Sequence, residues 1–169
     1  MINMISIKVK YFQTRMPELT AIEKGDWIDV RASRVEVNGV IQAWHFADKG
    51  ADFDGGLVTE YKAGDFIRVF LGFAMELPKG YEAHIAPRGS LFKNCGLIQT
   101  NSVGVVDNSF CGDGDEWFVP FYATRNGKIG RFDRVAQFRT MLKMKPIDFI
   151  EVEVLGNSNR GGHGTTGVN

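Results

Sequence analysis

Phe66-Ile67-Arg68-Val69-Phe70-Leu71 is a nearly continuous apolar run of aromatic and β-branched residues, the composition of a strand buried inside a sheet. Outward from it the same grammar repeats: short β-type runs broken by Gly, Asp, Asn or Pro. Near the N-terminus Ile5, Ile7 and Val9 alternate with Ser6, Lys8 and Lys10, as in a strand with one face in water. The pattern predicts strands over residues 5–10, 27–31, 35–37, 66–74, 81–86, 96–100, 116–123, 134–140 and 149–155. No segment sustains a helical period, and the best helix candidate is the short stretch 90–94 ahead of Gly96. Many short strands separated by turn signals predict an all-β fold, a jelly-roll-like sandwich or barrel.

At 169 residues the chain is long enough for one domain that buries roughly 70% of its unfolded surface. Hydrophobic residues make up 44% and charged residues 24%, ordinary values for a globular protein. Acidic and basic residues balance at 20 each, so no global field recruits nucleic acid or an anionic membrane. Any polyanion must be held by a local set of donors. No apolar stretch is long enough to span a bilayer, and the start does not read as a secretion signal. Two cysteines, Cys95 and Cys111, fit a reducing compartment. With no CxxC pair and three scattered histidines, structural zinc spacing is missing. These features read as cytoplasmic. Residues 1–155 form the expected β domain, with 38–61 an irregular surface excursion. From 156 to 169 the composition turns to Gly, Asn, Ser and Thr, a flexible arm that cannot offset its own ordering entropy by burial.

Three segments carry chemistry. Pro87-Arg88-Gly89-Ser90 and Arg160-Gly161-Gly162-His163-Gly164-Thr165-Thr166-Gly167 each join an arginine to backbone-exposing glycines and hydroxyls, a combination suited to phosphate. Gly104-Val105-Val106-Asp107-Asn108-Ser109-Phe110 sets a carboxylate three residues before an aromatic, where a general base would sit beside a stacking surface. Read locally, Asp107-Asn108-Ser109 is turn-capping chemistry first, and Phe110 is as good a core residue as a platform.

Together with Asp29 upstream and Arg134-Val135-Ala136-Gln137 downstream, the order of these segments resembles the five motifs of the trimeric dUTP pyrophosphatase (dUTPase) family. The resemblance runs from about residue 5 to the C-terminus, with 38–61 as the main addition. It implies a jelly-roll subunit, a homotrimer with shared sites, and magnesium-dependent hydrolysis of dUTP to dUMP and pyrophosphate, which supplies dUMP for dTMP synthesis and keeps uracil out of DNA. By the same resemblance Asp107 activates the water that attacks the α-phosphorus. Phe110 packs under the deoxyribose, where the family usually has Tyr. Asn101 reads uracil; the backbone around Gly104 and Val105 is the natural wall against a 5-methyl group, and Val106 is counted with them as substrate-binding. Arg88, Gly89 and Ser90 contact the triphosphate, Gly89 standing where the family has Ser. Gln137 meets phosphate or metal-bound water, and Asp29 holds magnesium through water. Arg160, His163, Gly164 and Thr165 belong to the closing arm, His163 standing where many relatives have Phe.

Two rival readings share this fold. A dCTP deaminase needs an acid/base glutamate on the strand after Asp107, and there only Glu116 stands, at the strand's start. A nucleotide-responsive regulator would bind a protein partner, and 38–61 is the natural place for that contact.

Overall fold

The computed structural model describes residues 4–46 and 56–161. In chain order the strands are β1 (Lys8–Tyr11), β2 (Ile28–Arg31), β3 (Arg34–Val37), β4 (Val40–Ile41), β5 (His45–Phe46), β6 (Leu57–Tyr61), β7 (Phe66–Phe70), β8 (Phe73–Glu76) and β9 (Tyr81–Pro87). The short helix α1 (Leu91–Cys95) follows, then β10 (Leu97–Gln99), β11 (Gly104–Asp107), β12 (Phe118–Ala123), β13 (Gly127–Gly130) and β14 (Arg134–Leu142). They pair into a five-stranded sheet of order β10-β12-β7-β3-β4 and a four-stranded sheet of order β11-β9-β14-β2. Smaller sheets, β13-β6-β5 and β1-β8, complete the set. Every pairing is antiparallel. Among the described residues no helix is long and apolar enough to cross a membrane.

The core forms where alternation turns apolar side chains inward from both larger sheets. Ile67, Val69, Val35, Val119 and Phe121 come from one, and Val30, Ala83, Ile85, Ala136 and Phe138 from the other. Phe73, Trp117 and Phe138 lie between them, with ring centroids 5.3 to 6.4 Å apart, within the range of favourable aromatic contact. The predicted strand over 66–74 is in fact two, because the chain turns at Gly72. That residue has φ +76°, and a Cβ on it would lie 2.8 Å from both Met16 Sδ and Ser33 Cβ. Its N–H donates to the Glu116 carboxylate at 3.0 Å.

The excursion assigned to 38–61 is partly woven into the fold. Asn38 and Gly39, both at positive φ, make the tight turn that folds β4 back on β3, the conformation an Asn-Gly pair favours. Residues 57–61 are a core strand rather than surface, since Val58, Thr59 and Tyr61 are buried and β6 pairs with β13 from Val58 to Tyr61. Strand β13 reads Gly-Lys-Ile-Gly and shows no β signature in sequence; pairing with β6 and burial of Ile129 make it a strand. A protein partner was expected to dock on 38–61, and the middle of that segment, 47–55, lies outside the described residues.

The expected strand over 149–155 is absent. Phe149 is 88% and Leu155 83% exposed, and Ile150 and Val154 stand out in the same way. A strand needs a neighbour for its backbone groups, and among the described residues this segment has none.

Gly72→Ala should destabilise the fold by about 2 kcal/mol or more, because it adds both positive-φ strain and a core clash. A lowered midpoint in urea denaturation checks this.

Candidate active site

Strand β9 runs through the middle of the four-stranded sheet, between β11 and β14. Its far end leads directly into Pro87-Arg88-Gly89-Ser90. In β14, Gln137 stands opposite Ala86 of β9 and opposite Asp29 of β2. A register shift between Arg134 and Ala136 makes a bulge, so Val135 and Ala136 both point into the core. Arg134 and Gln137 therefore face the same side although three residues separate them. Without the extra residue, strand alternation would put them on opposite faces.

On that face Asp29 is the hub. Its Oδ1 lies 3.0 Å from Arg88 Nε and its Oδ2 3.1 Å from Arg134 Nη1, and the carboxylate is only 13% exposed. One charged contact to each arginine, in a partly dry setting, holds Arg88 and Arg134 on either side of the same carboxylate. Gln137 Nε2 donates to the Pro87 carbonyl at 3.4 Å, which holds the strand end beside it. Gly89 and Ser90 are exposed, and although Ser90 is the N-cap residue of α1, its side chain makes no capping bond. Arg88, Ser90 and Arg134 line one wall of a cleft of about 830 Å³ whose other walls include Arg31, Lys128 and Arg131. Arg31 Nη1 donates to the Phe132 carbonyl at 2.8 Å and Arg131 Nη2 to Gln13 Oε1 at 2.9 Å. These three cations were missed in sequence, where nothing marks them off from surface charge.

The second group of candidates sits along β11. Gly104 lies opposite Ile85, Val105 opposite His84, and Asp107 opposite Glu82. Val105 is exposed, and Val106 packs against the core. The chain enters β11 through a turn with Ser102 at φ +56°, closed by Ser102 N–H on the Gln99 carbonyl at 3.4 Å, and Asn101 is displayed at its tip. Asp107 Oδ1 accepts both the N–H of Ser109 at 2.8 Å and its hydroxyl at 2.5 Å. The turn-capping geometry is thus realised. Bonding from the Ser109 hydroxyl, and then from its backbone, holds the Asp107 carboxyl below the ordinary carboxylate range, and the residue stays exposed. The Phe110 N–H donates to the Asp107 carbonyl at 3.3 Å, which places a part-exposed ring just beyond the carboxylate. Ser109 is a functional candidate that the reading of single motifs passed over.

The two groups do not meet in one chain. Asp107 is level with Glu82, near the start of β9, and Arg88 follows its last residue. Six residues at about 3.3 Å each separate them by roughly 20 Å. Arg160 is exposed and far along the extended tail, while His163, Gly164 and Thr165 lie outside the described residues. Among the described residues no cluster of three or more His, Cys, Asp or Glu side chains could hold a metal ion. Glu116, the residue that deamination would need, is committed elsewhere: its carboxylate is 8% exposed, ion-paired to Arg34, and accepts the Gly72 N–H.

The fold is that of a jelly-roll-like, antiparallel β-sandwich, with an arginine-hydroxyl segment and a turn-held carboxylate on neighbouring strands. The chain belongs to the dUTPase family. It is 46% identical over 164 residues, 97% of this chain and 99% of the relative, to the SPbeta prophage-derived deoxyuridine 5'-triphosphate nucleotidohydrolase YosS of Bacillus subtilis. It is 32% identical over 143 residues, 83% of this chain and 81% of the relative, to the deoxyuridine 5'-triphosphate nucleotidohydrolase of Streptomyces avermitilis. In fold it resembles a mutant Staphylococcus bacteriophage 80alpha dUTPase with dUpNHpp, at a TM-score of 0.65 and 14% identity over 96% of this chain and 99% of that one. It also resembles a mutant dUTPase from phage phi11 of S. aureus described with a structural Mg(II) ion, at a TM-score of 0.63 and 13% identity over 89% and 99%. No family model matches the chain.

Because bonding to Ser109 depresses the folded-state pKa of Asp107, the carboxylate stays ionised further into acid than a free one does. Ser109→Ala should move its titration to higher pH, as read from the side-chain carboxyl carbon by NMR. Superimposed curves would remove Ser109 as the cause.

Proposed function

We propose that this protein hydrolyses dUTP to dUMP and pyrophosphate in the cytoplasm, at sites composed from neighbouring subunits of a homotrimer. The observation that carries the reading is the split along β9: the phosphate donors gather around Asp29 at one end, and Asp107 stands roughly 20 Å away at the other. A triphosphate is far shorter than that gap. One chain cannot therefore supply both groups to one nucleotide, whereas closed cyclic symmetry brings one subunit's Asp107 to another's Arg88. The unpaired apolar segment 149–155 supports the same assembly, because a neighbour's sheet edge would give it the backbone partners it lacks.

In such a site Arg88, the Gly89 backbone and the Ser90 hydroxyl hold the phosphates, with Gln137 beside them. The Asp29 pair keeps the Arg88 guanidinium in place while charge develops on the leaving pyrophosphate. Asp107, with Oδ1 fixed by Ser109, has Oδ2 to orient and deprotonate the water that attacks the α-phosphorus. Phe110 packs under the deoxyribose and leaves a 2′-hydroxyl no polar partner. Asn101, Gly104, Val105 and Val106 surround the base. The arm, with Arg160, His163, Gly164 and Thr165, closes over the bound nucleotide and excludes bulk water.

The donor set suits a magnesium ion held mostly by substrate oxygens and water: the single carboxylate of Asp29 and the amide of Gln137 are too few for a protein cage but match this mode. An ion so placed, reached from Asp29 and Gln137 through water, would neutralise phosphate charge.

Asp107→Asn should lower kcat for dUTP at least a hundredfold with little change in dUTP binding, and Arg88→Gln should also be inactive. Mixing the two variants under conditions of subunit exchange should restore part of the turnover, because mixed trimers contain some sites with both native groups. No recovery in mixed trimers would remove the shared-site arrangement. Truncation after Leu155 should leave the trimer intact by sedimentation and cripple turnover; full activity in the truncated protein would deny the arm its role.

A further inference from the structure

Gln99 is a buried amide, 6% exposed, on the last position of β10. Its Nε2 donates to the backbone carbonyl of Ile85 at 3.1 Å and to Asn101 Oδ1 at 3.0 Å. Its Oε1 is buried and, among the described residues, has no hydrogen-bond partner. An apolar residue in the same place would avoid that orphaned acceptor, which lowers stability. Gln99 also takes no part in the phosphate site or in the Asp107 turn.

The chain of bonds has only one polarity. A backbone carbonyl can only accept, so Gln99 must turn its NH₂ toward Ile85. The same NH₂ then faces Asn101, and it can only be met by the asparagine's oxygen. With Oδ1 turned inward, Asn101 is left with its Nδ2 as the group it presents outward. That nitrogen lies beside the buried Gly104, 3.5 Å from where an added Cβ would stand, on a residue that is itself exposed. Read alone, an asparagine offers a donor and an acceptor in either orientation; here a carbonyl two strands away selects one.

We propose that Gln99 is the positioning residue that sets the polarity of the Asn101 amide, and through it the preference for uracil over cytosine. An outward N–H donor meets the 4-oxygen of uracil, an acceptor, and opposes the 4-amino group of cytosine, a donor. A freely rotating Asn101 would accommodate either base by flipping. The orphaned Oε1 is the stability given up for that fixed orientation. The inference rests on Asn101 as the base-reading residue.

The test compares wild type, Asn101→Ala, Gln99→Leu and Gln99→Met in kcat/KM for dUTP and for dCTP, with thermal melts of each. Inhibition of dUTP turnover by dCTP reads cytosine binding even where dCTP is not hydrolysed. Gln99→Leu should lower the dUTP-to-dCTP discrimination roughly tenfold or more, and Gln99→Met, of similar length without the amide, should do the same if the leucine variant fails to fold. A purely structural role would weaken both nucleotides alike and leave the ratio unchanged. An unchanged ratio in a folded Gln99 variant, with a reduced ratio in Asn101→Ala, overturns the proposal and keeps Asn101 as the reader. An unchanged ratio in Asn101→Ala overturns the reading of Asn101 itself.

Discussion

Everything in the proposed site is measured out by β9. It is hydrogen-bonded on both sides, to β11 along one edge and to β14 along the other, so its residues cannot slide relative to either neighbour without turning their side chains to the wrong face. That register places Asp107 level with Glu82, Gly104 and the Asn101 turn level with Ile85, and Gln137 level with Ala86. The turn, carboxylate and donors of the proposed site thus have set positions along one strand, and a catalytic arrangement built on strands holds its geometry better than one built on loops.

The carboxylates of the candidate site are held by bonds that also serve the fold. Asp29 binds β2 to the end of β9 and to β14 through Arg88 and Arg134, and in doing so it orients the arginine proposed to meet phosphate. Asp107 caps its own turn through Ser109, which keeps the carboxylate ionised and one oxygen fixed. For Asp107 the turn-capping and general-base readings are therefore compatible, because the cap leaves Oδ2 free of the bonds that hold Oδ1. Glu116 shows the opposite outcome, a carboxylate whose ion pair and backbone bond leave it no part in proton transfer.

Much of the architecture was readable before any pairing was known. Alternation at Ile7 and Val9 and the apolar run from Phe66 point to an all-β domain, and the Asn38-Gly39 turn signal was present in the sequence, although the surrounding segment was taken for an excursion. Strand β13 could not be read, because a Gly-Lys-Ile-Gly segment becomes a strand only through β6. For 149–155 the reverse holds: the composition is that of a strand, and the single chain supplies no edge for it. Of the site, the residue types at positions 29, 88, 101, 107, 110 and 137 were legible as a motif series. The contributions of Ser109, Gln99, Arg31 and Arg131 were not, since each acts through a bond whose partner is set by the folded chain.

By itself the sequence determined the inventory and the local rules: which donors, carboxylates and aromatics are available, where the backbone turns, and that short alternating runs favour sheets over helices. Those properties depend on dihedral preferences and bonds spanning a few residues, so they are written into neighbouring letters. Tertiary structure alone decided that a bulge turns Arg134 toward Asp29, that Gln99 must point its nitrogen at Ile85, and that Asp107 and Arg88 stand at opposite ends of one strand. These follow from register between segments far apart in the chain, where hydrogen-bond polarity and the two-residue period of a strand allow one arrangement and no local pattern records which.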